Sequence, residues 1–261
     1  MKPNPADYTQ DCLNCGHHFT GLYCPACGQK LRVVPFTMGF MVYSFFESNF
    51  SFEKGILRTI KELAYKPGKV VNDYIKGITN PYYTPLKYVF VAASLSALLM
   101  IGTGLFDDTI ATQATKPGLT EQQRDVSKRM MGFISNYMSL LSIVYLPFAA
   151  WISKLLFKKA RYNFAEQLVF NSYIQGQSTL YSMVLMLLIW AGLDGLRTYE
   201  GFTIAGALIN MLVYIQFSIS TFSYSWFQSL WRSVVTYVLS YLLYIILLST
   251  VVAVLAMNKL V

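Results

Sequence analysis

From residue 86 to its end the chain is a succession of apolar runs, broken by short charged or glycine-containing stretches. A hydrocarbon core of about 30 Å takes roughly 20 apolar residues in an α-helix. A helix also satisfies its own backbone hydrogen bonds inside lipid. Five runs meet this requirement, at about 86–106, 133–157, 168–193, 203–225 and 233–257. None alternates apolar and polar residues over short segments, so a transmembrane β-barrel is excluded. The sequence therefore predicts an all-α membrane protein with about five transmembrane helices. Composition agrees: only 13% of the 261 residues are charged and 54% are hydrophobic, against about 25% charged in soluble domains. Disordered, collagen-like and disulfide-rich secreted chains are excluded on the same figures. Pro147 predicts a bend in the second span. The break between the last two spans falls on Trp226 to Arg232, an aromatic segment suited to the headgroup level.

Loop charges set the orientation. Lys154, Lys158, Lys159 and Arg161 lie between spans two and three, and Arg232 lies between spans four and five. Lys54, Arg58, Lys61, Lys66, Lys69 and Lys76 precede span one. An N-inside arrangement puts all of these on one side, as the positive-inside rule prefers. The expected location is a bacterial inner membrane, with the N-terminus cytoplasmic and the C-terminus periplasmic. The opening MKPNPADYTQ has no apolar core, so no cleavable signal peptide is expected. The net charge of +8 sits beside apolar segments, where it contacts anionic lipid rather than nucleic acid.

All four cysteines fall in Cys12-x2-Cys15-x8-Cys24-x2-Cys27, and glycine follows each pair at Gly16 and Gly28. A Cys-x-x-Cys pair curls the backbone so that both thiolates face one ion, and the glycine permits the turn. Two such pairs make a tetrahedral sulfur site that suits Zn²⁺. Residues 1–35 therefore read as a zinc ribbon whose folding energy comes from the metal. His17 and His18 read as bystanders. Lys2, Lys30 and Arg32 against Asp7 and Asp11, with the net −2 of four thiolates on Zn²⁺, make a poor footprint for nucleic acid. A protein-docking or structural role is expected, with a protein partner or a second copy of the chain.

Residues 36–85 read as amphipathic helices at the membrane interface. Ser51 can cap a helix with Ile56, Leu57, Ile60, Leu63 and Ala64 on one face and Lys54, Arg58, Lys61 and Glu62 mainly on the other. Pro67 and Gly68 break it. A second short helix presents Val70, Val71, Tyr74 and Ile75, and Gly77 can end it. Such basic helices before a span usually lie in the interface, a packed hairpin being the other form. Residues 86–261 form the transmembrane bundle.

Within the spans, Asn171, Gln175, Ser178 and Ser182 share a helix face, as do Asn210, Tyr214, Ser218, Thr221 and Ser225; Tyr237, Tyr241 and Tyr244 share another. They join helices by hydrogen bonds or line a cavity for a lipid headgroup or small solute. Glu166 sits where span three enters the membrane. It either complements the helix dipole or forms an interfacial ion pair with a basic residue of 54–76. No mid-membrane His or carboxylate pair offers acid–base chemistry. The motifs of metalloproteases, P-loops and Ser-His-Asp enzymes are absent, since His17 and His18 are the only histidines. A non-enzymatic scaffold is the first expectation, and a lipid- or small-solute-handling protein the second.

The order Cys-x-Asn-Cys-Gly, then Tyr23-Cys24-Pro25-x-Cys27-Gly28-Gln29-Lys30, Lys66-Pro67-Gly68, Tyr74-Ile75-Lys76-Gly77, Tyr82-x-x-Pro85 and Asn163 to Phe170 resembles an uncharacterised family of zinc-ribbon-headed membrane proteins common in Bacteroidota, a domain of unknown function. The resemblance implies architecture, not activity. Ile78 and Thr79 stand where that pattern has basic residues, and Gln167 stands where it often has His. A fainter likeness is to five-span Yip-type membrane proteins.

Overall fold

The computed structural model describes residues 9–30, 37–47, 55–104, 120, 121, 124, 141, 143–192 and 199–257. The expected cap Ser51, the first part of the second span and the ends of the ribbon lie outside these residues. Two short antiparallel strands, β1 (Thr9–Asp11) and β2 (His18–Thr20), precede the helices, with Gln10 opposite Phe19. The helices follow as α1 (Met38–Glu47), α2 (Gly55–Tyr65), α3 (Pro67–Lys76), α4 (Pro85–Thr103), α5 (Ile143–Leu156), α6 (Phe164–Trp190), α7 (Tyr199–Thr221) and α8 (Trp226–Met257).

Pro85–Thr103, Gly201–Thr221 and Trp226–Val251 are long and apolar enough to cross a bilayer. α5 is apolar but short over its described length. α6 has the length, but its glutamines, Asn171 and hydroxyls lower its hydropathy, and neighbouring helices cover its first half. Between Ala165 and Ser178 most of its residues are buried, with α4 and α7 packed along it and α1, α2 and α3 meeting it as well. Tyr88 of α4 lies on Gly176, where an added Cβ would sit 2.3 Å from the ring. No side chain fits at Gly176 without moving that tyrosine, whose hydroxyl donates to Gln177 Oε1 at 2.5 Å.

Local chemistry sets the helix ends. Asn163 and Glu166 form a capping box: Glu166 N–H donates to Asn163 Oδ1 at 2.9 Å, and Asn163 N–H donates to Glu166 Oε2 at 2.8 Å. Two orphan amides are satisfied, so α6 starts at Phe164 instead of the expected 168. Gly104, at φ 62°, ends α4 in the left-handed region open to glycine. The turn expected at Trp226 to Arg232 falls earlier, at 222–225. Ser225 accepts from Gln228 N–H at 3.4 Å, and residues 226–232 are the first turns of α8. Phe222 anchors that turn, with its ring 4.5 Å from Phe157 and 4.7 Å from Phe170.

The apolar faces of α2 and α3 close against the bundle except at Leu57, which the sequence placed on that face and which is exposed. Leu63, Val70, Val71 and Tyr74 are buried in the same core as Phe170, Tyr214 and Phe217. The approach of α3 to α7 is backbone on backbone: Gly68 N–H donates to Ser220 Oγ at 2.7 Å, and a Cβ on Gly68 would stand 1.9 Å from the Ser220 carbonyl oxygen. Lys159 N–H donates to Tyr224 Oη at 2.9 Å, and Tyr162 donates to Asn72. α2, α3, residues 157–163 and the 222–225 turn thus meet at one end of the bundle.

Candidate metal centre

Each cysteine pair folds as its spacing demands. Gly16 N–H donates to the Cys12 carbonyl and Gly28 N–H to the Cys24 carbonyl, both at 2.8 Å. Gly16 and Gly28 take φ of 73° and 75°, a region disfavoured for residues with a Cβ. Cys12 N–H then donates to the His17 carbonyl and Cys24 N–H to the Gln29 carbonyl, each at 2.9 Å. The β1–β2 pairing and a Tyr23–Lys30 bridge bring the two loops face to face.

The four sulfurs lie within 4.8 Å of one another, with Cys12–Cys27 at 3.5 Å and Cys15–Cys24 at 3.6 Å. A tetrahedral ion with bonds of about 2.3 Å sets its sulfurs roughly 3.8 Å apart, so the cluster can hold one metal ion. Desolvation works to raise the Cys27 thiol, but hydrogen bonds from Asn14 and the Gln29 backbone outweigh it and the group falls to about 6. The His17 backbone hydrogen bond favours the Cys15 thiolate, yet desolvation and the other three sulfurs push Cys15 up to about 12. An entering metal therefore has to displace the proton held at Cys15. His18 stands outside the cluster, paired through Nδ1 with Asp11 at 2.8 Å.

Gln29 joins this hairpin to the helices. It is 3% exposed, and its amide is hydrogen-bonded on both sides. Nε2 donates to the carbonyls of Gly77 at 2.8 Å and Lys30 at 3.0 Å, and meets Thr79 Oγ1 at 3.2 Å. Oε1 accepts from the N–H groups of Thr79 at 3.1 Å and Asn80 at 2.9 Å. Asn80 Nδ2 returns a bond of 2.6 Å to the Cys27 carbonyl. Gly77, at φ 105°, caps α3, so Gln29 reads the turn that directs the chain from α3 towards α4. Sequence reasoning missed this role. The only signal was a glutamine directly after the second cysteine-pair glycine, with nothing local to mark it as buried.

The polar residues expected within the spans separate into two groups. Asn171 and Tyr214 are buried and bonded, with Tyr214 donating to Asn171 Oδ1 at 3.0 Å. Asn171 Nδ2 reaches Ser153 Oγ at 3.0 Å, and Ser153 donates to Gln167 Oε1 at 2.8 Å. This polar chain joins α5, α6 and α7 and leaves Gln167 Nε2 buried with no partner among the described residues. Ser178 is buried, and its hydroxyl has no partner among the described residues. Gln175 and Asn210 are half-buried and stand outside the chain. Glu166 completes the capping box, and among the described residues no ion pair joins it to a basic group. Lys87, in the first turn of α4, is buried and partnered; sequence reasoning did not single it out.

These features define a helical protein with spans suited to a bilayer and a four-cysteine cluster at one end. Residues 53–97, which include α2, α3 and most of α4, match a family model described as a protein of unknown function (DUF3667). No zinc-ribbon or Yip-type family matches. No curated protein and no solved structure matches the chain.

Proposed function

We propose that the chain is a non-enzymatic protein of the bacterial inner membrane whose hairpin holds structural Zn²⁺ and serves as a cytoplasmic scaffold. It braces the inner end of the bundle and offers a surface to a protein partner. The observation that carries this is Gln29, a buried side chain that ties the thiol cluster to the turn between α3 and α4. Four sulfur ligands without an open position favour a structural ion over a catalytic one. Leu13 and Tyr23 project from the same hairpin, 54% and 55% exposed, an apolar surface fitted to protein rather than nucleic acid. The clustered bases at one end of the bundle support an N-inside, five-span topology.

Purification of the full chain in mild detergent tests this reading. About one zinc per chain is expected. A protein partner should co-purify and be lost from both Cys24→Ser and the Leu13→Asp/Tyr23→Asp variant, each still inserted in the membrane. A chain without zinc, or partners indifferent to both changes, would overturn it.

A further inference from the structure

The outward side of α2 and the start of α3 form a cleft of about 620 Å³, lined by Arg58, Lys61, Lys66 and Lys69 with a single acid, Glu62. Arg58 pairs with Glu62 at 2.7 Å and Lys69 approaches it at 3.9 Å. Among the described residues, the ammonium groups of Lys61 and Lys66 have no ion-pair partner. Four cations line the cleft against one carboxylate and repel one another; the next carboxylate, Asp73, lies behind Glu62 across the Tyr82 hydroxyl and is not part of the lining.

The cleft also lies at a defined depth. Gln216 Nε2 donates to the Ala64 carbonyl at 2.9 Å, and Gly68 N–H donates to Ser220 Oγ at 2.7 Å. Both contacts fall on the last turns of α7, which ends at Thr221. At 1.5 Å per residue, Gln216 lies about 7.5 Å inside that end. Just beyond the turn, Trp226 and Phe227 are exposed, as aromatic residues are at the headgroup level. The cleft is therefore level with the end of a span. Leu57 and Tyr65 flank its cations, 77% and 78% exposed, apolar groups set where acyl chains begin.

We infer that this cleft binds the phosphate-bearing headgroup of an anionic phospholipid. Lys61 and Lys66 hold the phosphate oxygens, while Leu57 and Tyr65 rest against the proximal acyl chain. Arg58 and Lys69 remain partly neutralised by Glu62 and add charge without supplying the main contacts. The inference needs the chain in a membrane but not the docking role proposed above.

Native mass spectrometry of the detergent-purified full chain, titrated with phosphatidylglycerol and with phosphatidylcholine as reference, tests it. Each basic group near a membrane surface is worth about 1 kcal/mol, so Lys61→Gln/Lys66→Gln should weaken phosphatidylglycerol binding about tenfold or more. Lys158→Gln/Lys159→Gln removes the same charge from an exposed site at the same end and should change it less than about twofold. Glu62→Gln releases Arg58 and Lys69 and should tighten binding. Equal losses in the two double variants, no loss in the first, or no gain from Glu62→Gln would overturn the site. Millimolar inorganic phosphate should leave the lipid bound. Displacement by phosphate at that concentration would assign the cleft to the free anion and overturn the lipid assignment.

Discussion

In the hairpin of residues 9–30 the buried apolar set is Cys12, Phe19 and Cys24, with Cys27 packed against them. In the bundle, Phe170, Tyr173, Tyr214 and Phe217 belong to one continuous core that takes in α2, α3, α4, α6 and α7. The hairpin buries one aromatic ring, far too little to offset the entropy of ordering its chain. The proposed ion on its four sulfurs would supply what that small core lacks, and among the described residues the hairpin is tied to the helices by polar groups, chiefly Gln29. The bundle depends on close packing, as at Gly68 and Gly176, and on internal hydrogen bonds such as Tyr214 to Asn171. With the proposed ion holding the one region and shape the other, the two should fail separately.

The largest separation is expected from Cys24→Ser. Structural zinc contributes on the order of 10 kcal/mol to a domain of this kind, so the hairpin should lose both metal and fold. Limited proteolysis should then cut within residues 9–30 and leave the helices protected. Gly68→Val should do the reverse. Its side chain has to displace the Ser220 backbone, at a cost of about 2–4 kcal/mol. Thermal unfolding in detergent should report that loss, with zinc content unchanged. Equal damage to both regions by either variant would erase the distinction.

A smaller effect concerns acid. Burial works to raise Glu62, but the Arg58 hydrogen bond and charge, Tyr82 and Lys69 outweigh it and lower the group. Tyr82 Oη lies between Glu62 at 3.2 Å and Asp73 at 2.9 Å; burial and these carboxylates hold its proton above the usual tyrosine range. A carboxyl lowered on folding stabilises the fold above its unfolded pKa, near 4.3, and loses that contribution as pH falls through the lower folded value. Melting of wild type should therefore fall more steeply than that of Glu62→Gln as pH drops below about 4.3. Parallel curves would remove Glu62 from the account. Smallest of all is Glu166→Gln. Gln still suits a capping box, so only the dipole term of about 0.3–1 kcal/mol is at stake, and hydrogen exchange of residues 55–76 should not change.

What the sequence revealed follows the range of each interaction. The cysteine cluster was legible because each pair closes on its own glycine within four residues. The apolar stretches of α4, α7 and α8 were legible because composition alone marks them. Helix ends were harder: the Asn163–Glu166 box and the Ser225 hydroxyl moved them by a few residues, through local hydrogen bonds invisible to hydropathy. The polar residues of α6 were read as one face, but the helix is buried on most of its surface between Ala165 and Ser178. Asn171 therefore found Ser153 and Tyr214 while Gln175 joined no chain. Amphipathic helices suited to the interface turned their apolar sides to the bundle, since nothing in a local period says which apolar phase will cover it. Gln29 was least legible, its partners lying 48 to 51 residues away.

Gln29 joins the cysteine hairpin and the α3–α4 turn into one mechanical unit. Thr79 and Asn80 amides both donate to Gln29 Oε1, so their hydrogen exchange reports that joint directly. In the zinc-loaded full chain these amides should be protected. Chelation of the metal, or Gln29→Ala with the metal retained, should speed their exchange at least tenfold, equivalent to about 1.4 kcal/mol, while Val169 and Phe170 in the buried core of α6 stay protected. Unchanged exchange at Thr79 and Asn80 after both treatments would contradict the account.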